Sequence, residues 1–344
     1  MPKNKHIVIL TPGFPENEAD TTCIPALQIY VKALREISGI TITVVSIHKP
    51  FTNTFYYWEG IPVHPLGSSS AFSKISLWKK TYQTLNQIHR KNPITTLHSF
   101  WLGECAFIGH WFSKKNNVKH LTTLMGQDAL KGNGYSKILP LKKMQLITLS
   151  DFHQKTFLAN CNVKTEIIPW GINPADCNPS AEKTIDIIGV GYLNKVKNHA
   201  LFIDVISEIN QKKPIKVVLI GEGNQYDTLK KKIKLLKLED VIELKRLLPY
   251  NETMRYMAQS KVLLHTSHYE SFGLVFAEAL QSKTMIVSKN TGCIFETQNW
   301  TAATTKKQMV EVCKSLLSKS YLETEKNPFL IENTVQHYLK IYDN

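Results

Sequence analysis

The chain has 344 residues, 43% hydrophobic and 20% charged, enough for two domains of ordinary size, each with its own core. No apolar run approaches the roughly 20 residues that a membrane-spanning helix needs, and Met1-Pro2-Lys3-Asn4-Lys5-His6 leads into a strand-like segment without a signal-peptide core, so a cytoplasmic protein is expected. Six scattered cysteines (Cys23, Cys105, Cys161, Cys177, Cys293, Cys313) form no Cys-x-x-Cys pair, which argues against zinc or a disulfide framework. The net charge of +14 is uneven: residues 1–168 hold 19 Lys and Arg against 9 Asp and Glu, a balance of +10, and the remainder 23 against 19, a balance of +4. Basic charge with Trp58, Trp78, Trp101 and Trp111 in the same half fits an anionic substrate, an anionic membrane surface or nucleic acid, and equally a solvated surface.

Apolar runs of strand length alternate with helix-length segments, the pattern of a doubly wound α/β protein. In the first half the predicted strands are 7–11, 40–47, 95–99, 120–124 and 146–149, with helices predicted over 26–37, 75–90, 103–114 and 152–159. The segment Ile167-Ile168-Pro169-Trp170-Gly171-Ile172-Asn173-Pro174 and the linker-like Asn178-Pro179-Ser180 place a domain change at about residues 170–183. The pattern then restarts, with strands at 185–190, 217–220, 241–244, 262–265 and 285–287. A terminal helix is predicted over 331–342, with Val335, Tyr338, Leu339 and Tyr342 on one stripe. Two α/β units predict a cleft between them.

The chemistry concentrates in the second half. Glu270 falls in the loop after an apolar strand, and Glu278 about a turn and a half into the next helix, around the turn Ser271-Phe272-Gly273-Leu274. The crevice beyond a strand's carboxyl end is where open α/β sheets bind ligands, and amides at a helix N-terminus suit phosphate. Two acids there suit hydroxyls on both sides of a phosphate group; alternatively, Glu270 caps the helix and Glu278 is an ordinary helix residue. The helix is apolar on nearly every face, so Glu278 is expected to be buried with a hydrogen-bonding partner. Two further strand ends carry glycine: Gly221-Glu222-Gly223, and Gly189-Val190-Gly191 followed by Lys195 and Lys197.

In this order, Ile168 to Asn173, Gly191-Tyr192-Leu193 with Lys197, Gly221-Glu222-Gly223, and Glu270-Ser271-Phe272-Gly273-Leu274 with Glu278 resemble family 4 of the retaining glycosyltransferases. The resemblance covers essentially the second half and extends more weakly to His98-Ser99-Phe100-Trp101, Met125-Gly126-Gln127-Asp128 and Ser150. It implies the GT-B architecture: two facing Rossmann-like doubly wound domains with a central cleft, and a C-terminal helix crossing back to the first. An acceptor domain of residues 1–170, joined by about 328–344, and a donor domain of 171–327 are expected. It also implies a nucleotide-sugar donor, a glycan or lipid-linked acceptor, transfer with retention, no cofactor, and a role in cell-surface polysaccharide or lipopolysaccharide synthesis. An epimerase or phosphorylase of the same architecture, or a non-catalytic binding protein, is the alternative.

By matching position the resemblance implies that Glu270 contacts the donor sugar and Glu278 the ribose. The amides of Phe272, Gly273 and Leu274 face the diphosphate, with Ser271 in the same turn, and Lys197 pairs with it. No Asp-x-Asp motif is present, so metal-independent turnover is expected. Tyr192 stands where many members have arginine, which makes Lys195 a candidate helper. Phe100 and Met125 stand where many have histidine, which leaves His98 and Asp128 as the first domain's candidates, against the plainer readings of a structural histidine and an Asx turn. Gly13, after the first strand, is placed to approach the diphosphate. Helix 75–90, with Trp78, Lys79, Lys80, Leu85 and Ile88, is a candidate for docking on an anionic membrane, although the same apolar positions are what a helix packed on a sheet shows, and nucleic acid is not expected as a partner.

Overall fold

The computed structural model describes residues 5–67, 74–177, 179–294, 297–323 and 326–343. Residues 1–4 and Asn178 of the predicted linker lie outside them. The chain divides into two compact units, Met1–Gly171 with Ile331–Asn344, and Ile172–Leu330.

In the first unit eight strands form one sheet: β1 (Lys5–Gly13), β2 (Ile40–Lys49), β3 (Tyr56–Trp58), β4 (Ile61–Pro65), β5 (Thr96–Phe100), β6 (Lys119–Thr123), β7 (Gln145–Thr148) and β8 (Glu166–Ile167). Their order is β3-β4-β2-β1-β5-β6-β7-β8, and every pair is parallel except β3 with β4. Ile7, Val8, Ile9 and Leu10 of β1 have no exposed surface, as expected of a parallel strand covered on both faces. Val8 and Leu10 pack with Val45, Leu85, Ile88, Leu97 and Phe112, which places the helices Lys74–Lys91 and Glu104–Asn116 against one face. Leu77 and Trp78 also pack on this cluster, and Trp78 meets Phe107 at 4.8 Å. Of the two readings of the helix, packing on the sheet therefore holds for most of its apolar stripe, and Ile75 is the exposed remainder.

The terminal helix, Ile331–Asp343, completes this unit. Its buried face is Ile331, Thr334, Val335, Tyr338, Ile341 and Tyr342, with Leu339 of the predicted stripe only half-buried. Tyr338 packs on Tyr30 at 5.0 Å, and Thr334 donates to the Pro169 carbonyl at 2.9 Å.

The second unit holds β9 (Ile185–Val190), β10 (Val217–Ile220), β11 (Ile242–Lys245), β12 (Ser260–His265), β13 (Met285–Ser288) and β14 (Trp300–Ala302), all parallel, in the order β11-β10-β9-β12-β13-β14. Ile187, Phe202, Val217, Leu219, Val262 and Val287 build its main core. The order steps outward from β9 to β11 and then restarts on the other side with β12. The reversal therefore lies between β9 and β12, where a crevice opens at the carboxyl ends of such a sheet.

All ten predicted strands are present within two residues of their predicted bounds. Strands β3, β4, β8 and β14 left no recognisable pattern in the sequence. The hairpin β3–β4 turns through Glu59 and Gly60, both at positive φ, and β4 contains two prolines, which conceal a strand.

Candidate active site

The reversal point carries the cluster. The loop after β12 is tied to the turn after β9: Thr266 Oγ1 donates to the carbonyls of Lys197 and Asn198, and the His268 amide donates to the Val196 carbonyl at 2.8 Å. These bonds bring Lys197 and Glu270 together, with Nζ 2.5 Å from Oε1. His265, the last residue of β12, places Nε2 3.0 Å from the same Oε1 and lies edge-on to Phe276. Burial works to raise the Glu270 carboxyl, but the Lys197 charge and His265 outweigh it and hold the group down at about 2. Burial keeps His265 below its usual value and so favours neutral imidazole. His199, the first residue of the helix His199–Asn210, is also buried, and neither ring nitrogen has a partner among the described residues. Burial, with His265 and Lys197 adding to it, pushes His199 down to about 3.

Glu278 is governed by the opposite balance. It is buried in the helix Leu274–Gln281, hydrogen-bonded to Tyr250. Burial raises it to about 7; the Tyr250 hydroxyl opposes this and Asp176 adds to the rise. The two glutamates of one motif thus differ in kind at neutral pH: Glu270 is a fixed anion, and Glu278 is near half-protonation. Between them Phe272 is buried and Gly273, at φ 81°, caps the helix; Ser271 and Leu274 are half-buried. Gly292 packs on this turn so closely that a Cβ there would lie 2.3 Å from the Phe272 carbonyl oxygen.

The glycines of the β10 turn answer to protein rather than to a ligand. A Cβ on Gly221 would stand 2.0 Å from the Gly191 carbonyl oxygen, and one on Gly223 2.4 Å from that of Leu193. The same two turns are stitched by the Leu193 amide to the Glu222 carbonyl and the Gln225 amide to the Leu193 carbonyl. Glu222 itself turns to Arg246, at 2.8 Å, whose guanidinium lies over Tyr226. Lys195 and Tyr192 are exposed. Lys289, just beyond β13, was not anticipated; its Nζ is 3.3 Å from His268 Nδ1, and its charge is felt at His265. Among the described residues no group of three or more His, Cys, Asp or Glu could hold a metal ion.

In the first unit the plainer readings prevail. His98 is wholly buried, with Nδ1 2.7 Å from the Tyr342 hydroxyl and Nε2 2.8 Å from Thr123 Oγ1, and its ring stacks on Phe100. Nδ1 holds the terminal helix directly, and Nε2 does so through Thr123, whose Oγ1 lies 2.8 Å from the Tyr338 hydroxyl, which corrects the catalytic expectation for His98. The Asp128 carboxylate accepts the amides of Leu102, Met125 and Gly126, so it organises two strand-end turns rather than standing free for a substrate. Gly13 is buried, and a Cβ there would meet Cys23, Ile24 and Lys49 at ordinary contact distances, so nothing in this geometry requires glycine.

Residues 176–328 match the family model described as glycosyl transferases group 1. An uncharacterized glycosyltransferase of Methanocaldococcus jannaschii is 22% identical over 277 residues, 76% of this chain and 77% of that protein. The N-acetylgalactosamine-N,N'-diacetylbacillosaminyl-diphospho-undecaprenol 4-alpha-N-acetylgalactosaminyltransferase of Campylobacter jejuni is 36% identical over 102 residues, only 29% of this chain and 27% of its own length. Among solved structures, HepE of Anabaena in complex with UDP-glucose superposes with a TM-score of 0.73 at 15% identity, covering 98% of this chain and 99% of that one. The fold, two parallel-sheet α/β units, is that of the GT-B glycosyltransferases, and the match over residues 176–328 supports a glycosyltransferase.

Proposed function

We propose that the protein is a retaining glycosyltransferase of family 4 that moves a sugar from a nucleotide-sugar donor to a glycan or lipid-linked acceptor in the synthesis of a cell-surface polysaccharide. The observation that carries this is the Lys197–Glu270 pair, set at the strand-order reversal beside the start of the helix Leu274–Gln281. In this reading the donor diphosphate takes the Lys197 ammonium and the amides at the helix start, while Glu270 and Glu278 accept from sugar and ribose hydroxyls. Departure of the nucleoside diphosphate concentrates charge where Lys197 already stands, and a charge fixed in place needs little reorganisation as the bond breaks. Lys197 and the helix start supply the cationic field, so turnover is metal-independent. The relatives support the substrate class: HepE of Anabaena is seen with UDP-glucose, and the Campylobacter jejuni relative acts on a diphospho-undecaprenol acceptor.

Peripheral attachment to an anionic membrane belongs to the same reading, on the exposed Phe51, Phe55, Tyr57 and Ile75 of the first unit. The deciding experiment incubates the protein with candidate nucleotide sugars and lipid-linked acceptors and follows release of nucleoside diphosphate. Acceptor-dependent release that drops about a hundredfold or more in both Lys197→Ala and Glu270→Gln is expected. Near-normal rates in both variants would sink the proposal. Release without transfer would point to an epimerase or a hydrolytic activity, and loss of turnover in EDTA restored by manganese would refute metal independence.

A further inference from the structure

A second cavity of about 580 Å³ opens at the other end of the second unit's sheet, where β9, β12 and β13 begin rather than end. Its wall includes four lysines, Lys183, Lys261, Lys283 and Lys319, with Met285 and Leu317 as an apolar floor. Two of the charges are matched, Lys261 by Asp186 at 2.9 Å and Lys283 by Glu323 at 2.5 Å. The other two form no ion pair among the described residues. Lys319 is exposed, but Lys183 is half-buried, and its Nζ donates to the Ser282 carbonyl at 2.8 Å and to Thr284 Oγ1 at 3.2 Å. An ammonium group has three donors, so one of its donors is left over. Burial, and secondarily the charge of Lys283, pulls Lys183 down to about 8, the mark of a cation held without its counter-charge.

We propose that this cavity binds a phosphate-bearing small molecule, held by the ammonium groups of Lys183 and Lys319, at a site separate from Lys197. A phosphate monoester or diphosphate carries the two negative charges that the unmatched lysines call for, and its several oxygens can accept from both. The volume is that of an ordinary small-ligand site, so an organic body can lie over Met285 and Leu317. Lys183 also bonds to the far end of the helix whose start forms the donor turn, since Ser282 follows Gln281 directly. Occupancy at one end of that helix therefore bears on the group that secures it there.

The test titrates inorganic phosphate and diphosphate into the full chain by calorimetry, at low ionic strength and without sulfate. Wild type, Lys319→Met, Lys183→Met/Lys319→Met and Lys197→Ala are compared. Diphosphate is expected to occupy two classes of site, one weakened by Lys197→Ala and the other by the lysine-to-methionine variants, each lost charge-assisted bond reducing affinity about tenfold or more. Lys319 is exposed, so Lys319→Met keeps the test open if the double variant folds poorly. Sedimentation with vesicles of phosphatidic acid or phosphatidylcholine identifies the source. Binding to phosphatidic acid that the double variant abolishes assigns a lipid headgroup, and soluble phosphate binding without vesicle binding assigns a free ligand. The proposal is overturned if the isotherms of wild type and both methionine variants coincide, or if Lys197→Ala alone removes all binding.

Discussion

At the scale of single residues, one motif holds two carboxylates driven in opposite directions, and stability records the difference. The Glu278 carboxyl is raised from 4.5 to about 7, so the folded state holds a proton that the unfolded chain has released. Stability from this group is complete below pH 4.5 and is lost as pH rises to 7, a cost of roughly 3 kcal/mol. Glu278→Gln removes the titration: in urea unfolding, the variant's stability relative to wild type is expected to rise between pH 5 and pH 8. A flat difference across that range would contradict the buried-acid account. Glu270 runs the other way, because its carboxyl is depressed; its contribution is present above pH 4.5 and lost as pH falls toward 2. The sequence marked both glutamates but not their charge states. That of Glu278 is set by burial against the Tyr250 hydroxyl and that of Glu270 by the Lys197 charge together with His265; Tyr250 and His265 come from another helix and from the end of an apolar strand, and no spacing rule connects them to the motif.

At the scale of elements, the turns after β9 and β10 form one device. Gly221→Ala drives a Cβ into the Gly191 carbonyl, and the resulting separation of the turns is expected to cost roughly 1–3 kcal/mol and, on the proposed function, to weaken nucleotide-sugar binding through displacement of Lys197. Gly134, at φ −62° with nothing near its Cβ position, is the control; Gly134→Ala is expected to be neutral or to stabilise by about 0.4–1 kcal/mol. Thermal melts of the two variants separate these outcomes, and equal behaviour would refute the packing argument. The terminal helix offers a sharper case. Tyr342→Phe leaves the buried Tyr30 hydroxyl and His98 Nδ1 without the partner each now has, a loss of about 1–3 kcal/mol in an unfolding titration. The strands were legible because parallel strands buried on both faces read as apolar runs. The short edge strands β8 and β14 and the proline-bearing hairpin were not, since they bury too little to leave a pattern.

At the scale of the whole molecule, the basic balance of residues 1–168 meets a set of exposed apolar groups. Lys80 donates to Asn53 at 2.6 Å, fastening the helix that carries Ile75 to the loop that carries Phe51 and Phe55. None of the described helices is long and apolar enough to cross a membrane. Vesicles rich in anionic phospholipid are expected to sediment the protein at low salt, and Phe51→Ser with Ile75→Ser to reduce the bound fraction severalfold. Equal sedimentation with zwitterionic vesicles, or none with either, would remove the membrane from the functional reading. The sequence left the inward face of that helix open: Trp78 and Leu85 fit a lipid-facing or a core-facing stripe by spacing alone, and their packing against Phe107 and Phe112 shows which side is inward.

The attachment of Ile331–Asp343 to the first unit also sets an order of events during synthesis. A ribosome that has delivered every strand from β1 to β8 has not delivered Tyr338 or Tyr342, and His98 and Tyr30 wait beside an empty berth until all of Ile172–Leu330 has been made. The second unit is one uninterrupted stretch and needs no later segment to close its core. The unit translated first is therefore the one finished last, and nascent chains halted before residue 331 should yield to protease within residues 1–171 while the second unit resists.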